Sequence, residues 1–128
     1  MRRIAWTLVM GIVLTPMAWA QFPTPPAPRP PDPAALFRGQ CGTCHSVNPA
    51  DAPRQGPNLF GVFGRRAGTL AGFKYSPGFA AAGFAWDEAR LDAYLTNPQS
   101  VIPGGVMAYR QANPAIRQTI IAWLKEQH

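Results

Sequence analysis

A chain of 128 residues with 12 Lys or Arg against 6 Asp or Glu carries a formal net charge of +6, and its 15 prolines and 12 glycines suit one small, loop-rich domain. The arginines are scattered rather than gathered with aromatic residues into a stripe, which argues against nucleic acid as a partner. Cys41 and Cys44 are the only cysteines and His45 and His128 the only histidines, so the second ligand pair that a closed zinc site needs at similar spacing is missing.

Arg2 and Arg3 open the chain, Ile4 to Leu14 is apolar apart from Thr7 and Gly11, and Ala18-Trp19-Ala20 has the small-x-small pattern of a cleavage site. Residues 1–20 are therefore expected to be a secretory signal peptide that directs the protein to the periplasm. The apolar run falls short of the roughly 20 residues that a membrane-spanning helix needs, and Pro16 follows it. Were the segment retained, it would tether the protein to a membrane. Cleavage after Ala20 leaves 128 − 20 = 108 residues and, with two arginines removed, a charge of +4. Gln21 to Pro33 then holds seven prolines, at 23, 25, 26, 28, 30, 31 and 33. Residues 21–32 read as a proline-rich linker of extended polyproline character, either a spacer or a tail with no role of its own. The folded domain is expected over residues 33–128.

Asp32 followed by Pro33 makes an N-cap and first-turn pair, opening a helix through Leu36 and Phe37 to Cys41. The pentapeptide Cys41-Gly42-Thr43-Cys44-His45 comes next. Dithiol redox motifs, zinc half-sites and local disulfides share the C-x-x-C spacing. The adjacent histidine changes the reading, because each thiol can add to one vinyl group of a haem and leave the imidazole beneath the iron. No convincing strand precedes Cys41, so the βαβ setting of a thioredoxin-like motif is absent. Thiols exported from the cytoplasm are ordinarily oxidised unless something consumes them, and attachment to haem consumes both.

Further along, Asp87 can cap a helix that carries Leu91, Tyr94 and Leu95 on one face and ends before Asn97-Pro98. Glu88 and Asp92 share its helical spacing with Asp87 and read as a cap and a solvated face. Asn113-Pro114 opens a last helix with an apolar stripe of Ile116, Ile120, Trp123 and Leu124. These helices and loops are a thin core for the domain, and a rigid cofactor at the centre would supply the missing volume. Met1, Met10 and Met17 fall in the signal segment, which leaves Met107 as the mature chain's methionine. A lone methionine is ordinarily core filler. This one ends the loop Ile102-Pro103-Gly104-Gly105-Val106-Met107, where packing explains it poorly, and it is the expected sixth ligand, since a thioether suits reduced iron.

Over Asp32 to Gln127 the chain resembles the class I cytochrome c family. Beyond the haem motif, the likeness rests on Gly56-Pro57-Asn58-Leu59-Phe60-Gly61, Arg65-Arg66-Ala67-Gly68, Tyr75-Ser76, Trp86, Tyr94-Leu95-Thr96-Asn97-Pro98 and Ile102-Pro103-Gly104, in that order. The resemblance implies an all-α fold of about three to five helices wrapped around one haem c bound covalently through Cys41 and Cys44. It implies that His45 ligates iron and donates its other N–H to the carbonyl of Pro57, with Met107 as the second axial ligand. Arg65, Tyr75 and Trp86 match positions that hydrogen-bond a buried haem propionate, and Tyr94 matches a residue whose hydroxyl approaches the methionine sulfur. Phe37 with Ile120 and Trp123 match the contact between first and last helices.

Three departures stand out. Pro33 replaces a glycine eight residues before the first haem cysteine, implying a shorter first helix with an altered crossing. Gly105 replaces a threonine that approaches a propionate. Lysines that ring the haem edge in mitochondrial relatives are replaced, notably by Gln99, Ser100 and Val106, although Arg54 remains near it. The edge is thus expected to be nearer neutral than the total charge, with an apolar contact face around Val101, Ile102, Gly104, Gly105 and Val106.

The function expected is a single-haem, one-electron carrier between membrane or periplasmic redox enzymes, a monomer and not an enzyme. One alternative is a fixed cytochrome subunit of a larger dehydrogenase or oxidase complex, with the proline linker as tether. Another is a haem enzyme or gas sensor in which Gly104 and Gly105 make Met107 labile.

Overall fold

A computed structural model of the chain describes residues 26, 27 and 29–128. The expected signal peptide and half of the proline-rich linker lie outside the described residues. The elements are α1 (Pro33–Gln40), a 3-10 turn (Pro77–Ala81), α2 (Glu88–Thr96), α3 (Pro98–Val101) and α4 (Pro114–Lys125).

Each longer helix starts where its capping chemistry predicts. Asp32 accepts from the Ala34 amide at 3.1 Å, Asp87 from the Arg90 amide at 2.7 Å and Asn113 from the Ala115 amide at 2.9 Å. Prolines at the first turns of α1 and α4 cost no hydrogen bond there, because those N–H groups have no partner within the helix. α1 runs for 8 residues with Pro33 as its first. Asn97-Pro98 ends α2 and restarts the chain as the short α3, which the sequence pattern does not announce.

α4 packs against both α1 and α2, and α2 packs against α3. The contact between α1 and α4 centres on Phe37 and Trp123, whose rings lie 4.8 Å apart at 36°. Phe37, Leu91, Leu95, Ile120, Ile121 and Leu124 are all buried at this junction. Burying side chains of this size contributes about 1.5–3 kcal/mol each.

Apart from one antiparallel bridge between Arg66 and Ala85, the described residues contain no strand. That bridge fixes Trp86, whose amide donates to Arg65 and whose carbonyl accepts from Gly64 at 2.8 Å. Gly64 has φ 76°, a conformation with little cost only for glycine.

Two expectations about the surface are corrected. Asp92 does not belong to a merely solvated face, because it pairs with the buried Arg117 guanidinium at 2.7 Å. Arg117 Nη1 also donates to the carbonyls of Gln111 and Ala112, so one guanidinium ties α4, α2 and the loop before α4 together. Ile102 is 1 % exposed and belongs to the core, not to an apolar contact face. The turn that follows α3 directs its side chain inward and leaves Val106, 83 % exposed, at the surface.

Candidate functional site

A cavity of about 330 Å³ opens between the helices and the long loops. Cys41, Cys44, His45, Pro57, Arg65, Tyr75, Trp86, Tyr94 and Met107 all line it. These are the nine residues singled out from sequence, and the fold brings every one of them to this cavity. Most of the remaining wall is apolar, including Leu59, Val62, Phe79, Leu95, Ile120 and Leu124.

The local turn after α1 sets the first three side chains. Cys44 and His45 amides both donate to the Cys41 carbonyl, at 3.0 and 2.9 Å, so one turn presents two thiols and an imidazole together. His45 Nδ1 lies 2.8 Å from the Pro57 carbonyl. A carbonyl only accepts, so the imidazole proton is on Nδ1 and the Nε2 lone pair is left for a ligand. Burial holds the His45 pKa below its ordinary value, partly offset by the bond to Pro57.

The acceptor loop is itself pinned. Asn58 Nδ2 donates to the Asn48 carbonyl at 2.7 Å and the Asp51 carbonyl at 3.1 Å. Arg65 donates through Nη2 to Asn58 and through Nη1 to Phe60, at 2.9 and 3.0 Å. Ser46 completes the clasp by donating to Asp51 at 2.5 Å. Pro57, between these bonds, adds the stiffness of a fixed φ.

Gly56 is the most exacting residue that sequence reasoning passed over. A Cβ there would lie no farther than 2.8 Å from Cε1, Nδ1 and Nε2 of His45. The residue stands inside a tract quoted for its resemblance, but its own requirement comes from a ring folded over it from eleven positions away.

The Cys41 thiol has little nucleophilic character in the folded chain. Burial, then the neighbouring Cys44, pushes the Cys41 thiol up to about 11, well away from the depressed values of dithiol redox motifs. Burial and then Tyr75 likewise push the Tyr94 phenol up to about 12, so it keeps its proton as a donor. Trp86 and Tyr94 pack edge to face with ring centroids 5.0 Å apart, and Tyr75 sits 4.8 Å from both Phe73 and Phe79. Beside Tyr75, the Ser76 hydroxyl is buried without a partner.

Met107 reaches the cavity from a loop held on both sides. Gln99 Nε2 donates to the Gly105 carbonyl at 2.5 Å, and beyond Met107 the Gln111 amide donates to the Leu95 carbonyl at 2.8 Å. Gly78 allows the 3-10 turn to close on this loop, since a Cβ there would stand 2.9 Å from the Gly104 carbonyl carbon and 3.0 Å from the Gly105 nitrogen.

Paired thiols, an imidazole with a free Nε2, a thioether and apolar walls form the donor set of a protein that holds haem c. Similar proteins agree. Cytochrome c2 iso-2 of Magnetospirillum fulvum is 50% identical over 88 residues, spanning 68% of this chain and 91% of the relative. Cytochrome c2 of Rhodomicrobium vannielii is 44% identical over 90 residues, or 70% and 72% of the two chains. Cytochrome c of Nigella damascena is 37% identical over 108 residues, 84% and 97% of the two. No protein-family model matches the chain. The chain belongs to the class I cytochrome c family, on its c2-like side. Cytochromes c are small electron carriers rather than enzymes, with one covalently attached haem c, and Cys41 and Cys44 fit that attachment.

Proposed function

We propose that this protein is a periplasmic one-electron carrier whose haem iron is held axially by His45 Nε2 and Met107, moving electrons between membrane or periplasmic oxidoreductases. The observation that carries this reading is the 2.8 Å bond from His45 Nδ1 to Pro57, which frees Nε2 toward a cavity that Met107 also lines. The haem supplies the one-electron couple. The chain supplies everything that tunes it.

Cys41 and Cys44 anchor the group through thioether bonds. The pinned carbonyl of Pro57 keeps the imidazole in one tautomer and orientation and raises its basicity. Arg65, Tyr75 and Trp86 offer a cation and hydrogen-bond donors where a propionate carboxylate would otherwise be buried unpaired, and the unpartnered Ser76 hydroxyl fits the same need. Two terminal nitrogens of Arg65 are engaged with carbonyls, so its role there is largely that of a fixed positive charge. Tyr94, neutral over the physiological range, offers its hydroxyl as a donor to the cavity that Met107 also lines. Apolar and aromatic walls exclude water, which limits the reorganisation that accompanies a change of charge.

The bonds from Gln99 to Gly105 and from Gln111 to Leu95 favour a held Met107 over a labile one. The test is an optical spectrum of the exported protein in both oxidation states, including the weak near-infrared sulfur-to-iron band. Covalent haem with that band is expected; covalent haem without it would overturn Met107 as a ligand.

The partner face is expected to act through contact more than through charge. Val106 is the exposed large apolar residue among the described residues, and Gln99 and Ser100 are exposed beside it. Arg54, also near the edge, is engaged by Asp51 at 3.4 Å and by the Gly42 carbonyl. Electrostatically steered association falls steeply with ionic strength. Turnover with the natural partner should therefore change less than tenfold between low and moderate salt, measured as electron-transfer rate against ionic strength.

A further inference from the structure

Two stretches that border the cavity lie far apart in sequence: the end of α1, with Gln40 and Cys41, and the segment from Met107 to Tyr109. Gln40 is the meeting point, and the shorter hydrogen bond to it comes from Tyr109. The Tyr109 hydroxyl donates to Gln40 Oε1 at 2.8 Å across 69 positions and accepts from Gln111 Nε2 at 3.1 Å, and Gln111 Nε2 also reaches Gln40 Oε1, at 3.4 Å. Gln111 is a fixed post for this contact. Its amide donates to Leu95, its carbonyl accepts from the buried Arg117 at 2.9 Å, and its Oε1 accepts from the Asn113 amide at 3.0 Å. Gln40 is anchored differently, as the residue that ends α1 and precedes Cys41.

We propose that Tyr109 is a positioning residue whose hydroxyl, oriented by Gln111 and donated to Gln40, latches the Met107 segment to the helix that carries Cys41. The segment needs such a fastening. Gly104, at φ 81°, and Gly105 give its leading side conformational freedom, and Val106 contributes little packing because it is exposed. With the latch made, the segment is held at Gly105, at Tyr109 and at Gln111. Without it, the stretch from Val106 to Arg110 hangs between its two backbone anchors, and Met107 lies within that stretch.

The effect on iron rests on the reading of Met107 as axial ligand, whereas the latch itself does not. A single solvent-accessible hydrogen bond of this kind shifts an open–closed equilibrium by about two- to tenfold. The test uses the haem-loaded protein with Tyr109→Phe, which keeps the ring and removes the hydroxyl, with Gln40→Ala, and with both. Imidazole added to the oxidised protein should enter two- to tenfold faster in each single variant, and the double should gain less than the product of the two single effects, because both remove the bond from Tyr109 to Gln40. Unchanged entry, or gains that multiply in the double, would overturn the latch. Amide hydrogen exchange over Gly105 to Gln111 reports the same opening without reference to iron. It should rise by a similar factor in both single variants, and exchange equal to that of the unaltered protein would also overturn the proposal. Absence of the sulfur-to-iron band from the unaltered protein would instead remove the Met107 reading and leave the exchange measurement to decide the latch.

Discussion

On the reading of Met107 as axial ligand, Met107→Ala should abolish the near-infrared sulfur-to-iron band, let carbon monoxide bind the ferrous protein and lower the reduction potential by hundreds of millivolts. The direction follows from ligand softness: a thioether stabilises ferrous over ferric iron, and the water or hydroxide that takes its place does the reverse. Axial ligand choice spans about 0.8 V in haem proteins, so exchanging one ligand of the pair moves the potential by a substantial part of that range. The fold should survive, because Met107 is only partly buried and the junction of α1, α2 and α4 does not depend on it. Potentiometry and far-ultraviolet circular dichroism on the same sample separate the two effects. A variant that keeps the band and refuses carbon monoxide would show that another group ligates the iron.

Gly56→Ala damages the opposite side of the site more than the single added methyl suggests. The new Cβ falls against three atoms of the His45 ring, and the glycine's backbone cannot retreat. Its amide donates to the Cys44 carbonyl at 2.8 Å, and its carbonyl accepts from the Arg54 amide at 3.1 Å. The imidazole must therefore turn, which stretches the bond from Nδ1 to Pro57 and aims Nε2 away from its place. Overpacking of this kind costs about 3 kcal/mol, and in a domain of this size that lowers the melting temperature by on the order of 10–20 °C. Gly83→Ala is the control, since a Cβ there meets nothing within 4 Å. Calorimetry of the two holoproteins should give a large loss for the first and almost none for the second; equal melting temperatures would mean that the His45 loop yields easily.

Much of the site was legible in the sequence because its chemistry is local. Cys41, Cys44 and His45 need only one turn to come together, and Asp32, Asp87 and Asn113 cap helices through bonds within three residues of themselves. The 3-10 turn at Pro77–Ala81 and α3 were not legible, being too short to show a period. Long-range geometry was also hidden. Asp92 reads as solvated until Arg117, 25 positions later, is folded against it, and Ile102 reads as surface until the turn after α3 rotates it inward. The demand for glycine at 56 and the role of Tyr109 likewise depend on partners that only the fold supplies. The resemblance pointed to nine residues that the fold brings to one cavity, and it said nothing about contacts that depend on this chain's own long-range partners.

The packing of α1 has a bearing on how the protein is made. Among the helices α1 touches only α4, the last element of the described chain, and Phe37 finds Trp123 there. Synthesis proceeds from the N-terminus, so the Cys41 to His45 turn emerges while more than half of the domain is still to come. Its two thiols stay open to modification throughout that interval, and the final helix closes the fold only after the window for attaching the cofactor has passed its widest point.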